Sequence, residues 1–274
     1  MTAPAPAPPL LVVGHDGSLA AAGVVAWAAA VAAARGGVRV DLVHAAALPP
    51  IPRHDFDLDV SALLDLHEKE ARGVIADAVR ILDAHGLPSR VVVRRWLAAE
   101  TLIEHARAEG AGLLVVGQHS GRASRLLLGS TSGEVARDAE APVVVVRGTD
   151  PVSPPRRVLL AADGSPPSLR AAACVAAWMP RAEVLAVHLR TSDAATELGE
   201  LASRLAAAGL EPGRIEMRVS EGAAAQTLLA IAESEPIDLV AAGRRGHAGW
   251  REQVLGGVAE KLLQLAPCPV LVAH

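Results

Sequence analysis

Leu10-Leu-Val-Val-Gly-His-Asp16-Gly17-Ser18 returns later in the chain as Arg157-Val-Leu-Leu-Ala-Ala-Asp163-Gly164-Ser165. Each copy is an apolar run that stops at Asp-Gly-Ser. An unbroken apolar run of this length suits a strand covered on both faces. Gly then turns the chain, and Ser is a favoured first residue before a helix. Three further echoes follow in the same order. Val40-Asp-Leu-Val-His44 returns as Val184-Leu-Ala-Val-His188, and Gly112-Leu-Leu-Val-Val-Gly117 as Asp238-Leu-Val-Ala-Ala-Gly243. Ala141-Pro142-Val-Val-Val-Val146 returns as Cys268-Pro269-Val-Leu-Val-Ala273. Four echoes in one order mark a duplication.

The spacing of the echoes shows where the copies differ. Asp16 and Asp163 are 147 residues apart, His44 and His188 are 144 apart, and Gly117 and Gly243 are 126 apart. The second copy is therefore shorter, mostly after its second strand. There the first copy carries a Pro- and Asp-rich stretch from Leu48 to Asp59, which reads as a loop. Residues 1–8 form a Pro/Ala tail that reads as disordered, with no basic segment of a secretory signal. The first domain is expected at 9–148, a linker at 149–155 and the second domain at 156–274.

Within each copy, β-branched runs alternate with helical stretches. Strands are expected at 10–14, 38–44, 90–95, 112–117 and 142–147, with helices near 18–35, 60–85, 99–109 and 129–138. The second copy gives strands near 157–162, 183–189, 214–219, 237–242 and 269–273. Its helices fall near 166–178, 194–208, 223–234 and 256–265. Such alternation specifies two tandem doubly wound α/β domains with helices on both faces of a parallel sheet. In these sheets ligands bind beyond the carboxyl ends of the strands.

Composition narrows the function class. The chain has 274 residues, of which 51% are hydrophobic, and its formal net charge is −4. A basic face for nucleic acid is not expected. Among 26 basic residues only Lys69 and Lys261 are lysine, so arginine abundance marks no site. Cys174 and Cys268 are too few for a disulfide framework and read as buried thiols of a cytoplasmic protein. The apolar run from Leu19 to Ala34 is shorter than a membrane span and rich in alanine, so it reads as a core helix.

Two constellations carry chemistry. Gly243-Arg-Arg-Gly246 and Gly256-Gly257, with nine residues between Gly246 and Gly256, surround a loop between a strand and a helix. Glycines let backbone approach phosphate oxygens, and a helix N-terminus offers free N–H groups. An ordinary strand-to-helix loop would also carry glycine. The first copy has Gly117, Ser120 and Gly129-Ser130-Thr131-Ser132 in the same places, where Ser130 either caps the helix or donates to a phosphate. The second constellation is Asp-Gly-Ser. Its aspartate can accept from a ribose hydroxyl or an adenine edge, or simply shape the turn. His44 and His188 read as packing residues between sheet and helices. His15, Asp16 and Ser18 are too close in sequence to converge as a catalytic triad. No His/Cys cluster has metal-ligand spacing, and no P-loop lysine lies near either glycine loop.

These motifs, with Ala266-Pro267-Cys268-Pro269-Val270 before the last strand, make the chain resemble the universal stress protein family twice over. The resemblance implies a five-stranded parallel sheet in order 3-2-1-4-5 per domain and, where the glycine motif is intact, ATP binding, with or without Mg. Carried over by position, Asp16 and the backbone of Ala45, or Asp163 and Leu189, would meet adenosine. Gly117, Ser120, Gly129, Ser130 and Thr131, or Gly243, Gly246, Gly256 and Gly257, would meet phosphates. The first copy has Ser120 for the second glycine and one residue fewer before Gly129; the second has Gly257 for a hydroxyl residue. The intact spacing favours the second copy. The family resemblance further implies that strands 142–147 and 269–273 meet across a local two-fold axis, as an intrachain pseudo-dimer, and a homodimer of the whole chain is the expected assembly. The expected function is that of a non-enzymatic, ATP-binding regulatory protein of the stress response. A nucleotide-free partner-binding scaffold and a slow ATPase are the alternatives. A nucleotidyl transferase is disfavoured because the His-x-x-His and Ser-Gly-Gly-x-Asp signatures are missing.

Overall fold

The computed structural model describes residues 8–45, 69, 73, 75–94, 97–118, 128–147, 153–189, 194–244 and 255–274. The expected tail, the 48–59 loop, most of the first half of the 60–85 helix and most of the linker lie outside them.

In the first copy β1 (Leu10–Gly14) leads to α1 (Leu19–Arg35) and β2 (Arg39–Ala45). Then come α2 (Ala76–Ala84), β3 (Ser89–Arg94), α3 (Ala98–Ala108), β4 (Leu113–Gly117), α4 (Ser130–Asp138) and β5 (Val143–Val146). The second copy follows with β6 (Arg157–Ala161), α5 (Pro166–Trp178), β7 (Glu183–Leu189), α6 (Ala194–Ala207) and β8 (Ile215–Ser220). It closes with α7 (Ala224–Ser234), β9 (Leu239–Gly243), α8 (Gly257–Leu265) and β10 (Val270–Ala273). Each first helix starts at the expected serine. Ser18 Oγ accepts from Ala21 N–H at 3.2 Å, and Ser165 Oγ from Ser168 N–H at 3.3 Å.

All ten strands form one sheet in the order β3-β2-β1-β4-β5-β10-β9-β6-β7-β8. Each half is parallel in the expected order 3-2-1-4-5. The halves join where β5 and β10 pair antiparallel, Val145 opposite Val270 and Val143 opposite Val272. The period-2 pleat divides the apolar runs between two cores. Leu11, Val13, Leu42 and Val115 face α1 and its neighbours, whereas Val12, Leu114, Val143 and Val145 face the opposite layer. No described helix is long and apolar enough to cross a membrane.

The seam between the halves also runs through their helices. Trp178, at the end of α5, is buried, and its Nε1–H donates to the carbonyl of Gly112 at 3.2 Å. A Cβ at position 112 would lie 3.1 Å from Trp178 Cζ2. The glycine that replaces the second copy's Asp238 is thus the seat of an indole from the other half. Arg35 of α1 stacks its guanidinium 5.0 Å from the Trp178 ring centroid and donates to Ala177 O at 2.7 Å.

Candidate functional site

Both Asp-Gly-Ser segments form the same turn. Ser18 N–H donates to Asp16 Oδ1 and Ser165 N–H to Asp163 Oδ1, each at 2.9 Å. The intervening Gly17 and Gly164 have φ of 83° and 75°, a region costly for any residue with a Cβ. The histidines that end the second strands brace these turns from below. His44 Nδ1–H donates to His15 O at 2.7 Å, and His188 Nδ1–H to Ala162 O at 2.9 Å. Because a carbonyl only accepts, each ring holds its hydrogen on Nδ1.

The glycine loops are anchored alike as well. In the first copy Gln118 N–H donates to Val146 O at 3.0 Å and Gly129 N–H to Gln118 O at 2.9 Å. In the second, Arg244 N–H donates to Ala273 O at 2.6 Å and Gly256 N–H to Arg244 O at 2.9 Å. One missing residue therefore does not displace Gly129; the difference falls within the loop. Ser120 and Gly246 lie outside the described residues. Gly129, not Ser130, occupies the cap position of α4, as Gly256 does for α8. Ser132 uses its hydroxyl to tie Gln118 O and Gly129 O, at 2.9 and 3.1 Å. Ser130 and Thr131 keep their hydroxyls in the first turn of the helix, whose free N–H groups and dipole favour an anion.

These elements enclose a cleft in the first half. It is lined by the apolar Val43, Leu102 and Val116 with Gly14 and Ala45, by His15, Asp16 and Ser18, and by Gly117, Gly129, Ser130 and Thr131. An apolar wall beside a carboxylate and a helix N-terminus suits a ligand with a flat apolar part, hydroxyls and an anionic end. All the first copy's expected residues that are described, Asp16, Ala45, Gly117, Gly129, Ser130 and Thr131, meet there.

The second half places Asp163, Leu189, Gly243, Gly256 and Gly257 at equivalent ends of its strands and helix. Its first helix packs differently. A Cβ on Gly243 would lie 2.7 Å from Pro167 Cβ and 2.8 Å from both Pro167 C and Ser168 N. The start of α5 thus presses directly on the strand end. At Gly117 the same Cβ would meet only Val24 Cγ2, at 3.1 Å. The turn is covered too, since Arg204 of α6 donates to Gly164 O at 2.6 Å, and Gly164 and Ser165 are buried where Gly17 is exposed. Glycine spacing favours the second copy, but helix packing favours the first. Pro166-Pro167 at the start of α5 is the physical reason. Gly243→Ala is expected to cost about 2 kcal/mol of unfolding free energy, an overpacking against backbone that cannot rotate away. Gly117→Ala should cost less than about 1 kcal/mol, because a valine methyl can yield. Urea unfolding of the two variants decides, and equal losses would refute the difference in packing.

Sequence reading missed one cluster. Asp41 of β2 is fully buried and holds Arg90 of β3 and His105 of α3, whose Nε2 lies 2.8 Å from Asp41 Oδ2. Arg90 also reaches Glu109 at 3.0 Å. Asp41, His105 and Glu109 are spaced as three metal ligands could be, yet the Arg90 guanidinium occupies the cation position. The cluster ties an edge strand to a helix and lies apart from the cleft.

The chain matches the Universal stress protein family over residues 10–147 and again over 155–274. A universal stress protein of Mycolicibacterium smegmatis is 30% identical over 289 residues, covering 96% of each chain. One from Mycobacterium tuberculosis is 32% identical over 293 residues, with 96% of each covered. In shape the chain is similar to a crystal structure of a universal stress protein from Archaeoglobus fulgidus. That likeness has a TM-score of 0.77 at 19% identity and covers 97% of this chain and 98% of the other.

Proposed function

This chain belongs to the universal stress protein family, and from that premise we propose that it is an adenine-nucleotide-binding regulatory protein with one working site, in its N-terminal half. The observation that carries this reading is the contrast between the two halves. The first encloses a cleft with an apolar wall, the Asp16 carboxylate and the hydroxyl-bearing start of α4. In the second, the start of α5 abuts Gly243 and Arg204 caps the equivalent turn. Adenine would lie against Val43, Ala45 and Leu102, ribose hydroxyls would donate to Asp16, and phosphates would take N–H and hydroxyl donors from Gly129, Ser130 and Thr131. ATP, with or without Mg, is the ligand of choice.

The protein is not an enzyme in this reading. The described cleft offers an anion a helix N-terminus and hydroxyls, but no lysine clamps a leaving phosphate. Turnover faster than about 1 s⁻¹ would overturn that part. Cys174 and Cys268, both free and buried, accord with a cytoplasmic setting, and association of two whole chains completes the proposal.

Titration calorimetry with ATP is expected to give one nucleotide per chain. Asp16→Ala should weaken binding about tenfold or more, the loss of a hydrogen-bonded charge, whereas Asp163→Ala should bind as the parent does. Both variants lose the same turn hydrogen bond, so the comparison isolates ligand contact. Two equivalents, or a loss on Asp163→Ala alone, would sink the single-site reading. A scaffold without nucleotide is the second reading, favoured by the α5 and Arg204 contacts of the second half; it predicts no binding at millimolar ATP.

A further inference from the structure

The two Asp-Gly-Ser turns are held by different chemistry. In the first half Gly17 N–H donates to Nδ1 of His15 at 3.1 Å, beneath the turn, where His15 is 7% exposed. A ring nitrogen that accepts is unprotonated, so His15 is neutral with its hydrogen on Nε2. The second half has Ala162 in that place, and its turn is tied instead through Arg204 Nη2–H to Gly164 O at 2.6 Å. A guanidinium keeps its protons throughout the physiological range, whereas an imidazole lone pair does not.

We propose that His15 is a positioning residue for the nucleotide site, and that its Nδ1 lone pair makes the affinity of the N-terminal cleft fall on acidification. The proposal rests on the reading of that cleft as the nucleotide site. A protonated Nδ1 presents a donor to the Gly17 donor, so the turn must rotate, and the Asp16 carboxylate turns with it. The ring also has little room for a charge. His44 lies 6.3 Å away edge-on and already donates to the His15 carbonyl. Burial first, then the neighbouring His44, push the His15 titration below the usual imidazole value, with Asp16 opposing. Among the described residues the titratable groups facing His15 are His44 from β2 and Asp16 in the turn itself. The cleft-lining residues of α1, α3, β4 and α4 carry none, and His105 and Glu109 at the far end of α3 are engaged with Asp41 and Arg90.

The test compares ATP dissociation constants from pH 8 to 5 for the parent chain, His15→Asn and His15→Ala. Asparagine can accept from Gly17 N–H but does not titrate. The parent is expected to lose about fivefold more affinity on acidification than His15→Asn, one hydrogen bond's worth. The titration of ATP's own phosphates is common to both proteins. His15→Ala should bind more weakly than the parent at pH 8, without the extra pH dependence. If His15→Asn tracks the parent at every pH, or His15→Ala equals it at pH 8, the positioning role is refuted. If none of the three binds ATP at pH 8, the nucleotide reading fails on its own. The brace is then judged by the Gly17 amide resonance, which should shift between pH 8 and 5 in the parent and stay still in His15→Asn. A resonance that stays still in the parent as well overturns the brace itself.

Discussion

Trp178→Ala is expected to lower the unfolding free energy by about 4 kcal/mol, within the range for losing a buried aromatic side chain. Its loss would be felt in the half that does not contain it. The indole is 3% exposed, donates to Gly112 O and carries the Arg35 guanidinium on its face. Removing it strips both contacts from the junction at once and leaves a void against α1 and the start of β4. Denaturant unfolding followed by fluorescence and circular dichroism should show a single transition in the parent and two partly separated ones in the variant. A double-mutant cycle sharpens the result. Gly112→Ala should cost roughly 1 kcal/mol in the parent, where its methyl meets Cζ2 at 3.1 Å, and less in the Trp178→Ala background. Additive losses would mean that the two residues do not bear on each other, contrary to the packing described.

Asp41→Ala is expected to cost about 3 kcal/mol. A buried ion pair stripped of one partner loses up to about 5 kcal/mol when the survivor stays desolvated. Here Arg90 is nearly half exposed and keeps Glu109, so water and a second carboxylate soften the loss; His105, almost fully enclosed, gains no such relief. Asp41→Asn keeps the volume and should cost about 2 kcal/mol, the share that belongs to charge. The pH dependence gives a second reading. Burial pushes the Asp41 carboxyl up, but hydrogen bonds from Arg90 and His105 outweigh it and hold the group below the usual carboxylate range. The folded chain therefore binds fewer protons than the unfolded one in acid. This contribution is complete above pH about 4 and is lost as pH falls through the lower folded value. Urea midpoints measured from pH 7 downward should fall less steeply in acid for Asp41→Asn than for the parent. Parallel curves would remove Asp41 from the account.

The scaffold was legible because it is written in short-range terms. Runs such as Val143–Val146 carry their burial on both faces, and Ser18 and Ser165 announce their helices one residue ahead. The Asp-Gly-Ser turns and the histidines below them were legible because both copies repeat them. What was not legible joins positions with no motif between them. Asp41 meets residues 49 and 64 places further on, and Trp178 meets a glycine 66 places back. The packing that distinguishes the two clefts was not legible for the same reason. Glycine spacing describes a loop, but Pro167 against Gly243 is a contact between a helix start and a strand end. Nothing in the spacing of either loop reports it.

The antiparallel contact between β5 and β10 has a consequence for how the molecule behaves on dilution. Both strands belong to one polypeptide, and the halves that carry them are joined by the short segment between β5 and β6, so each meets the other at an effective concentration of about a millimolar or more, whatever the cell contains. A seam made by two separate chains comes apart as their number falls; this one does not. Partners that never separate cannot be exchanged either, so the half in which α5 abuts Gly243 always accompanies the half whose Gly117 lies beside an open cleft. Subunit mixing cannot dilute that one-to-one ratio of the two kinds of half.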